Sequence, residues 1–440
     1  MLTKTNDAHL IVFGRYPRAG MTKTRLIPAL GPAGAAALQK RLTEKTVATA
    51  RRLSTRIGAR LVFCHDGGNQ QQLHLWMGNK HIRYVAQSTG NLGRRMHLAM
   101  QRAFDGGARR VVLVGTDIPG LTADILAQAF KALQEKDLVF GPSTDGGYWL
   151  VGMTRPANIF DGIVWSRPDV LEKSLALSRQ KGMTTHILAP LNDWDTPADL
   201  ALESADNQEP RPYLSVIIPT IDEAQQMART LTAAASPDAE IIVSDGGSTD
   251  QTLQIASSLG ARIITGRRGR AGQQNRGAAA ARGEVLLFIY ADTRLPRNYV
   301  NYVFETLMDR RTRLGAFRFA TDFDTPAMRR MTFCANLRAG WLNLPCGDQG
   351  LFLHKRDFDA VGGFPDVPIA EDRYLVHRLA RNGRISMAPV AAVTSGRRWQ
   401  RLGPMRAAII NAIIAVGSLT RIAPEHLAQL CRLSAKKSKP

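Results

Sequence analysis

Apolar and polar positions along this chain follow two rhythms, and the switch between them repeats. Short β-rich runs, HLIVF, ARLVFC, RRVVLVG, DLVFG and YWLVGM, are separated by stretches of helical spacing, among them an alanine-rich segment from about Ala33 to Leu53. The plan returns further on, where LSVIIP, EIIVS, ARIIT and EVLLFIY alternate with helical stretches after Asp222 and from about Ala271 to Arg282. Such alternation predicts a mostly parallel sheet with helices on both faces, once in each half. Between the halves, DNQEPRP at residues 206–212 is polar, holds two prolines and reads as a linker. The expected class is therefore α/β, with one domain over residues 1–205 and a second over 213–440.

In open sheets of this kind ligands sit beyond the carboxyl ends of the strands. Asp117 in VVLVGTDIPGLT and Asp292 in LLFIYADTRLP both fall there, each closing an apolar run and each followed by a proline. A carboxylate so placed can share Mg²⁺ or Mn²⁺ with a nucleotide diphosphate. Position alone supports equally well a helix N-cap, with the proline helping to start the helix.

Length and composition set outer bounds. A chain of 440 residues predicts two or three domains, and 44% hydrophobic residues belong to a folded protein. Cys64, Cys334, Cys346 and Cys431 are scattered without CxxC spacing, which argues against a zinc site or a disulfide framework and fits a reducing cytosol. The first residues enter a strand-like run with no secretory apolar segment. The stretch AAIINAIIAVG, Ala407 to Gly417, falls short of the ~18 residues a membrane span needs and reads as a buried or interfacial helix. A cytoplasmic location is expected, with peripheral contact at the inner face of the membrane as the variant.

The net charge of +21 raises nucleic acid as a partner. The charge is spread, however: residues 1–208 hold 26 basic against 17 acidic residues, and residues 209–440 hold 32 against 20. Neither half is a basic tail, and no nucleic-acid-binding motif accompanies the charge. Arginine dominates the second half, and its planar fork suits diphosphates and anionic headgroups as well as a nucleic-acid backbone.

In the second half, VIIPTIDEAQQMARTL, IIVSDGGSTDQT, EVLLFIYADTRLP and IAEDRYLVHRLARNG come in this order. Together, over about residues 213–400, they resemble family 2 glycosyltransferases of the GT-A fold. The resemblance implies that Glu223 and Asp245 hold the base and ribose of a nucleotide, and that Asp292 is the surviving acid of a DxD metal motif whose first position is Tyr290 here. It further implies Asp372 as general base, with Glu371 beside it. Arg267, Arg268 and Arg270, in GRRGRAGQQNRG, are placed to neutralise phosphates at a helix start, and a solvated basic loop is the alternative. Asp348 and Gln349 become acceptor-side candidates, and Arg398 and Trp399 in SGRRWQRLG would close over diphosphate or acceptor. Plainer roles stand beside these. Asp222 to Gln225 has capping-box spacing, Asp250 reads as a cap or turn residue, and Glu371 and Asp372 suit a helix N-terminus.

In the first half, FGRYPRAGMTKTRL follows the first strand without Walker-loop spacing. It resembles the glycine- and lysine-containing loop of sugar-nucleotide pyrophosphorylases and cofactor guanylyltransferases, which implies nucleotide contacts for Gly14, Arg15, Lys23 and Arg25. With GTDIPGLT, GPSTDGGYWLVGM and DWDTPADL the match reaches most of residues 9–204, and Asp117 and Asp195, with Asp145 as the alternative, become metal candidates. This half is most similar to a glycosyltransferase-like family of nucleotidyltransferase shape, whose members occur with family 2 partners near radical-SAM proteins and proposed arsenosugar biosynthesis.

The combined expectation is two tandem GT-A domains in one chain. The second would be a metal-dependent inverting glycosyltransferase moving sugar from a UDP- or GDP-sugar to a small-molecule or lipid hydroxyl, with Mg²⁺ or Mn²⁺ as cofactor. The first would be a second glycosyltransferase, a nucleotidylyltransferase or a non-catalytic nucleotide-binding scaffold. A different class of protein, a basic peripheral membrane or nucleic-acid binder, is the remaining alternative.

Overall fold

The computed structural model describes residues 7–203 and 212–403, together with residues 410 and 426. Of the expected linker only Pro212 lies among them, and of the Ala407–Gly417 stretch only Ile410; Cys431 lies outside. The chain divides into two compact units, Met1–Gln208 and Glu209–Pro440.

The first unit is built on β1 (Ala8–Arg15), β2 (Arg60–Asp66), β3 (Arg83–Ala86), β4 (Arg110–Val114), β5 (Leu138–Pro142), β6 (Tyr148–Met153) and β7 (Thr185–Ile187). They lie side by side in the order β3-β2-β1-β4-β6-β5-β7. β1 runs parallel to β2 and β4, β2 to β3, and β5 to β7, whereas β6 is antiparallel to both of its neighbours. Leu10, Ile11 and Val12 are all buried, as a strand covered on both faces requires. The alanine-rich helix runs from Ile27 to Ile57, further than its sequence pattern suggested. It is interrupted at Gly31, whose φ of 71° only glycine adopts readily, just before Pro32, and it ends at left-handed Gly58.

The second unit contains β8 (Leu214–Thr220), β9 (Ala239–Asp245), β10 (Arg262–Thr265), β11 (Val285–Phe288), β12 (Thr293–Arg294), β13 (Thr312–Thr321), β14 (Leu351–His354) and β15 (Arg384–Thr394), ordered β10-β9-β8-β11-β14-β13-β15-β12. The first four in that order are parallel. β14 is antiparallel to β11 and β13, β13 is parallel to β15, and β12 pairs antiparallel with β15. Both sheets are thus mixed but mostly parallel. Beneath β11 the core is aromatic: Phe288, almost fully buried, meets Phe364 edge-on with ring centroids 4.8 Å apart. Truncating such a phenylalanine to alanine costs about 3–5 kcal/mol.

Candidate active sites

In the first unit the strand ends converge on a cavity of about 490 Å³. β1 delivers Gly14 and Arg15 to it. A Cβ on Gly14 would stand 2.9 Å from both Phe63 and Thr116, so glycine is required there by packing between neighbouring side chains. Arg15 pairs with Asp66 at the end of β2, 3.2 Å away. The loop after β1 reaches Lys23, left-handed with φ 46°. Its side chain, only 2% exposed, turns inward, with the ammonium 3.3 Å from Asp117 Oδ1 and 3.7 Å from Asp195 Oδ1. Lys23 also donates to the Trp194 carbonyl, and the Trp194 amide donates to the Asp117 carbonyl at 3.0 Å. Arg25 holds Asp195 from outside at 3.2 Å.

Asp117 caps no helix. The next helix, Ala123–Ala132, is capped by Thr122, which accepts from the Ile125 amide at 3.3 Å. Asp145 spends one carboxylate oxygen on its own turn, accepting from Ser143 Oγ at 2.6 Å and the Gly147 amide at 2.9 Å. Asp193, which sequence reasoning missed, joins the group. Burial first, then the charges of Asp145, Asp195 and Asp117, push its carboxyl above the usual range. Its alternation with Asp195 in NDWD was a usable signal. Gln87 and Arg95, also in the cavity wall, carried none. Gln87 donates to the carbonyls of Gly14 (3.2 Å) and Cys64 (3.1 Å) and accepts from Arg95 at 2.8 Å, which fixes one guanidinium at the cavity edge.

In the second unit β11 stops at Phe288, and Asp292 follows in the turn to β12. Asp292 is no cap either, because the next helix, Tyr299–Leu307, begins from Asn298. Its partner is Arg397, which the sequence reading passed over for Arg398. Arg397 Nη2 lies 2.7 Å from Glu223 Oε2 and 3.4 Å from Asp292 Oδ2. Burial, then the nearby Glu223 charge, raises the Asp292 carboxyl, and Arg397 opposes the rise.

Asp222 and Asp245 have local work. Asp222, at φ 51°, accepts from the Thr249 amide at 2.7 Å and so pins the loop after β9 instead of opening the following helix. That helix, Ala224–Ala234, is capped across the loop: Asp250 accepts from the Ala224 amide at 3.1 Å and Thr252 Oγ1 from the Glu223 amide at 2.8 Å. Asp245 is buried, and its carboxylate accepts from the amides of Gly247 (2.8 Å) and Ser248 (3.0 Å). Its visible role is to shape the loop.

The remaining candidates meet in one cluster. Arg270 Nε stands 2.9 Å from Glu371 Oε1, and Arg270 Nη1 donates to the Tyr290 hydroxyl at 2.9 Å. Burial pushes that hydroxyl well above its ordinary range, so Tyr290 stays neutral where an aspartate would carry charge. A Cβ on Gly347 would come 2.4 Å from the Tyr290 hydroxyl, and the Gly347 amide donates to Asp372 Oδ2 at 2.7 Å. Glu371 is buried and Asp372 half-buried, both in the first turn of the helix Glu371–Ala380. Glu371 thus positions Arg270, and Asp372 faces the turn Gly347–Gln349.

Two acceptor-side expectations change. Gln349 is fully buried, donates to the Phe317 carbonyl at 3.2 Å and accepts from the Cys346 amide at 3.0 Å, which leaves Asp348 as the half-buried side chain of that turn. Trp399 is a core residue, packed on Phe319 at 5.5 Å between ring centroids. The Arg398 side chain lies outside what is described. Signals for both changes were weak, since a tryptophan beside arginines reads equally as a lid or as core.

Among the described residues, no three His, Cys, Asp or Glu side chains form a ready metal cage. The donors present, Asp117 with Asp195 and Asp292 with Glu223, are oxygen-only pairs. They fit a hard divalent cation whose remaining ligands come from a diphosphate. In each pair a basic side chain now lies against the carboxylates.

Two α/β units, each with a mixed, mostly parallel sheet and with acids and cations gathered beyond the strand ends, have the architecture of the GT-A fold. Comparison with known proteins agrees. A protein from Desulfovibrio desulfuricans G20, provisionally described as a nucleotide-diphospho-sugar transferase, is 32% identical, with 46% of this chain covering 89% of that one at a TM-score of 0.41. Residues 215–364 match the family "Glycosyl transferase family 2", and residues 49–167 match "Uncharacterized protein conserved in bacteria (DUF2064)". A PGL/p-HBAD biosynthesis glycosyltransferase of Mycobacterium bovis is 40% identical over 94 residues, 19% of this chain. This chain spans 37% of that relative's length. A mannosyltransferase from Pyrobaculum calidifontis, solved with GDP-Man and Mn²⁺, is 20% identical over 50% of this chain and 68% of its own, with a TM-score of 0.37.

Proposed function

We propose that the second unit is an inverting glycosyltransferase taking a UDP- or GDP-sugar as donor and a hydroxyl of a small molecule or lipid as acceptor. The observation carrying this is the cluster in which Arg270, Tyr290 and Glu371 touch and the Gly347 amide bonds Asp372, so that the turn leading to Asp292 and the acceptor-side turn share one site. Asp372 takes the acceptor proton as the hydroxyl oxygen attacks the anomeric carbon. The bond from that carbon to the diphosphate oxygen breaks on the opposite face, which inverts the centre. Arg270 and Arg397 offer positive charge to the departing diphosphate. A Mg²⁺ or Mn²⁺ held by Asp292 with Glu223 would supply further charge to that leaving group.

The first unit takes the role of a second nucleotide-using domain, a glycosyltransferase or nucleotidylyltransferase, with Asp117 and Asp195 against Lys23 and Asp193 beside them in the cavity wall. The scaffold reading is supported by one fact: Lys23 already spends its charge on Asp117 and Asp195. Its place in arsenosugar assembly is implied by the family resemblance, and no side chain in the cavity selects for arsenic.

Asp292→Asn tests the transfer reading. It keeps the side chain's size and removes its charge. Once a thermal-shift screen of sugar nucleotides with Mn²⁺ has found the donor, transfer by the variant should fall ~100-fold or more with folding intact. Turnover near that of the unaltered chain would remove Asp292 from the chemistry.

A further inference from the structure

The helix Pro326–Trp341 presents two faces of opposite character. Its inner face is fastened: Met328 and Ala339 are buried, and Asn336 bonds both the amide (2.7 Å) and the carbonyl (3.0 Å) of Phe319 on β13. Its outer face carries Phe333 at 67% exposure, Leu337 at 41% and Trp341 at 82%, with Leu342 at 65% just beyond. Positions 333, 337 and 341 are one helical repeat apart and form a single row, and exposed Arg330 precedes it by three residues. Elsewhere among the described residues the exposed large apolar side chains are Met21, Ile57, Val164, Ile187 and Leu259, far apart in sequence. Single exposed apolar residues need no explanation, whereas a contiguous row ending in a tryptophan marks a contact surface.

We propose that this row docks the protein on an anionic lipid bilayer. A second copy of the chain is a poor occupant, because four side chains on one helix offer on the order of 500 Å², against roughly 800 Å² per partner in a stable interface. A bilayer needs less. Phe, Leu and Trp in the headgroup boundary, with arginine beside them, are the composition of an interfacial helix. The second unit's 32 basic against 20 acidic residues supply attraction to anionic headgroups. No helix among the described residues is long and apolar enough to cross the membrane, so the contact is peripheral. At its end the helix leads into the acceptor-side turn, and Arg338 fastens that junction by donating to the Leu344 carbonyl (3.2 Å) and Cys346 Sγ (3.0 Å). Docking goes beyond the transfer reading and does not depend on it.

The test is flotation of the full chain with vesicles of phosphatidylcholine and phosphatidylglycerol, alongside a Leu337→Ser/Trp341→Ser variant. The unaltered chain should float, and the double variant, with an unchanged melting temperature, should bind about tenfold or more weakly, as expected for losing two apolar anchors. Equal binding by both proteins would place the contact elsewhere and overturn the proposal. So would absence of binding by the unaltered chain, or concentration-dependent self-association that the double variant abolishes. As an independent reading, Trp341→Phe should remove a strongly acrylamide-quenched component of the fluorescence. If that component is missing, another part of the chain covers the row and the proposal fails.

Discussion

Arg397 donates to Glu223 Oε2 at 2.7 Å with the Asp292 carboxylate 3.4 Å from the same nitrogen, so one guanidinium holds together two acids assigned to the donor side. Two carboxylates brought together with burial repel, and a cation between them relieves the repulsion. That cation can be an arginine or a metal ion. Arg397 therefore holds Asp292 and Glu223 together and, in the proposed reaction, lends its charge to the departing diphosphate.

Arg397→Ala separates these roles. Donor affinity should fall about tenfold, the worth of one hydrogen bond to a charged group. Mn²⁺ affinity without nucleotide should rise, because Asp292 and Glu223 lose the charge that competes for them. Calorimetric titration of each ligand reads both directions, and unchanged affinities would reduce Arg397 to a surface pair.

Glu371 and Asp372 are adjacent, yet their surroundings predict different losses. Asp372→Asn should cut turnover by ~100-fold or more with donor affinity kept, since a general base serves the chemical step. Glu371→Gln removes the charge facing Arg270 inside a buried cluster and should lower both donor affinity and melting temperature. Single-turnover rates beside donor titrations distinguish the two, and equal behaviour of both variants would refute the division of roles.

The first unit offers a metal test at Lys23. Lys23→Met keeps an unbranched side chain and removes the charge between Asp117 and Asp195. The melting temperature should drop in metal-free buffer, and added Mg²⁺ or Mn²⁺ should restore more of it than it adds to the unaltered protein, because the cation replaces the ammonium. Equal metal-induced shifts in both proteins would mean that these carboxylates do not bind the ion.

Much of the fold was legible because each half opens with buried parallel strands, whose unbroken apolar runs such as HLIVF and SVIIP carry a strong signal. The later strands of the second half were not. β13 and β15 contain arginine, glycine or proline, and β12 has two residues, so their pairing depends on tertiary context. At the sites, the placement of Asp117 and Asp292 beyond strand ends was readable, as was that of Asp372 in a first helical turn. That Arg397 reaches in was not, because it depends on helical phase. Nor does sequence reveal that Gln349 and Asp245 are occupied by neighbouring backbone, since that depends on loop geometry.

A last expectation concerns acid stability at the far edge of the first sheet. Asp137 precedes β5 and Thr184 precedes β7, and Asp137 Oδ2 accepts from both the Thr184 amide and its hydroxyl at 2.9 Å. These bonds hold the Asp137 carboxyl below its ordinary range, with burial opposing and Arg155 assisting. A depressed value in the folded state means that the stabilisation is present above the unfolded value, about 3.9, and is lost as pH falls through the folded one. Asp137→Ala should therefore weaken the attachment of β7 by about 1 kcal/mol at neutral pH, the net worth of a typical hydrogen bond. The difference should shrink steadily toward acid pH. Amide exchange of residues 185–187 at several pH values, corrected for intrinsic exchange rates, measures this local opening. A gap between variant and unaltered protein that stays constant down to strongly acid pH would show that the ionised carboxylate is not what ties the two segments together.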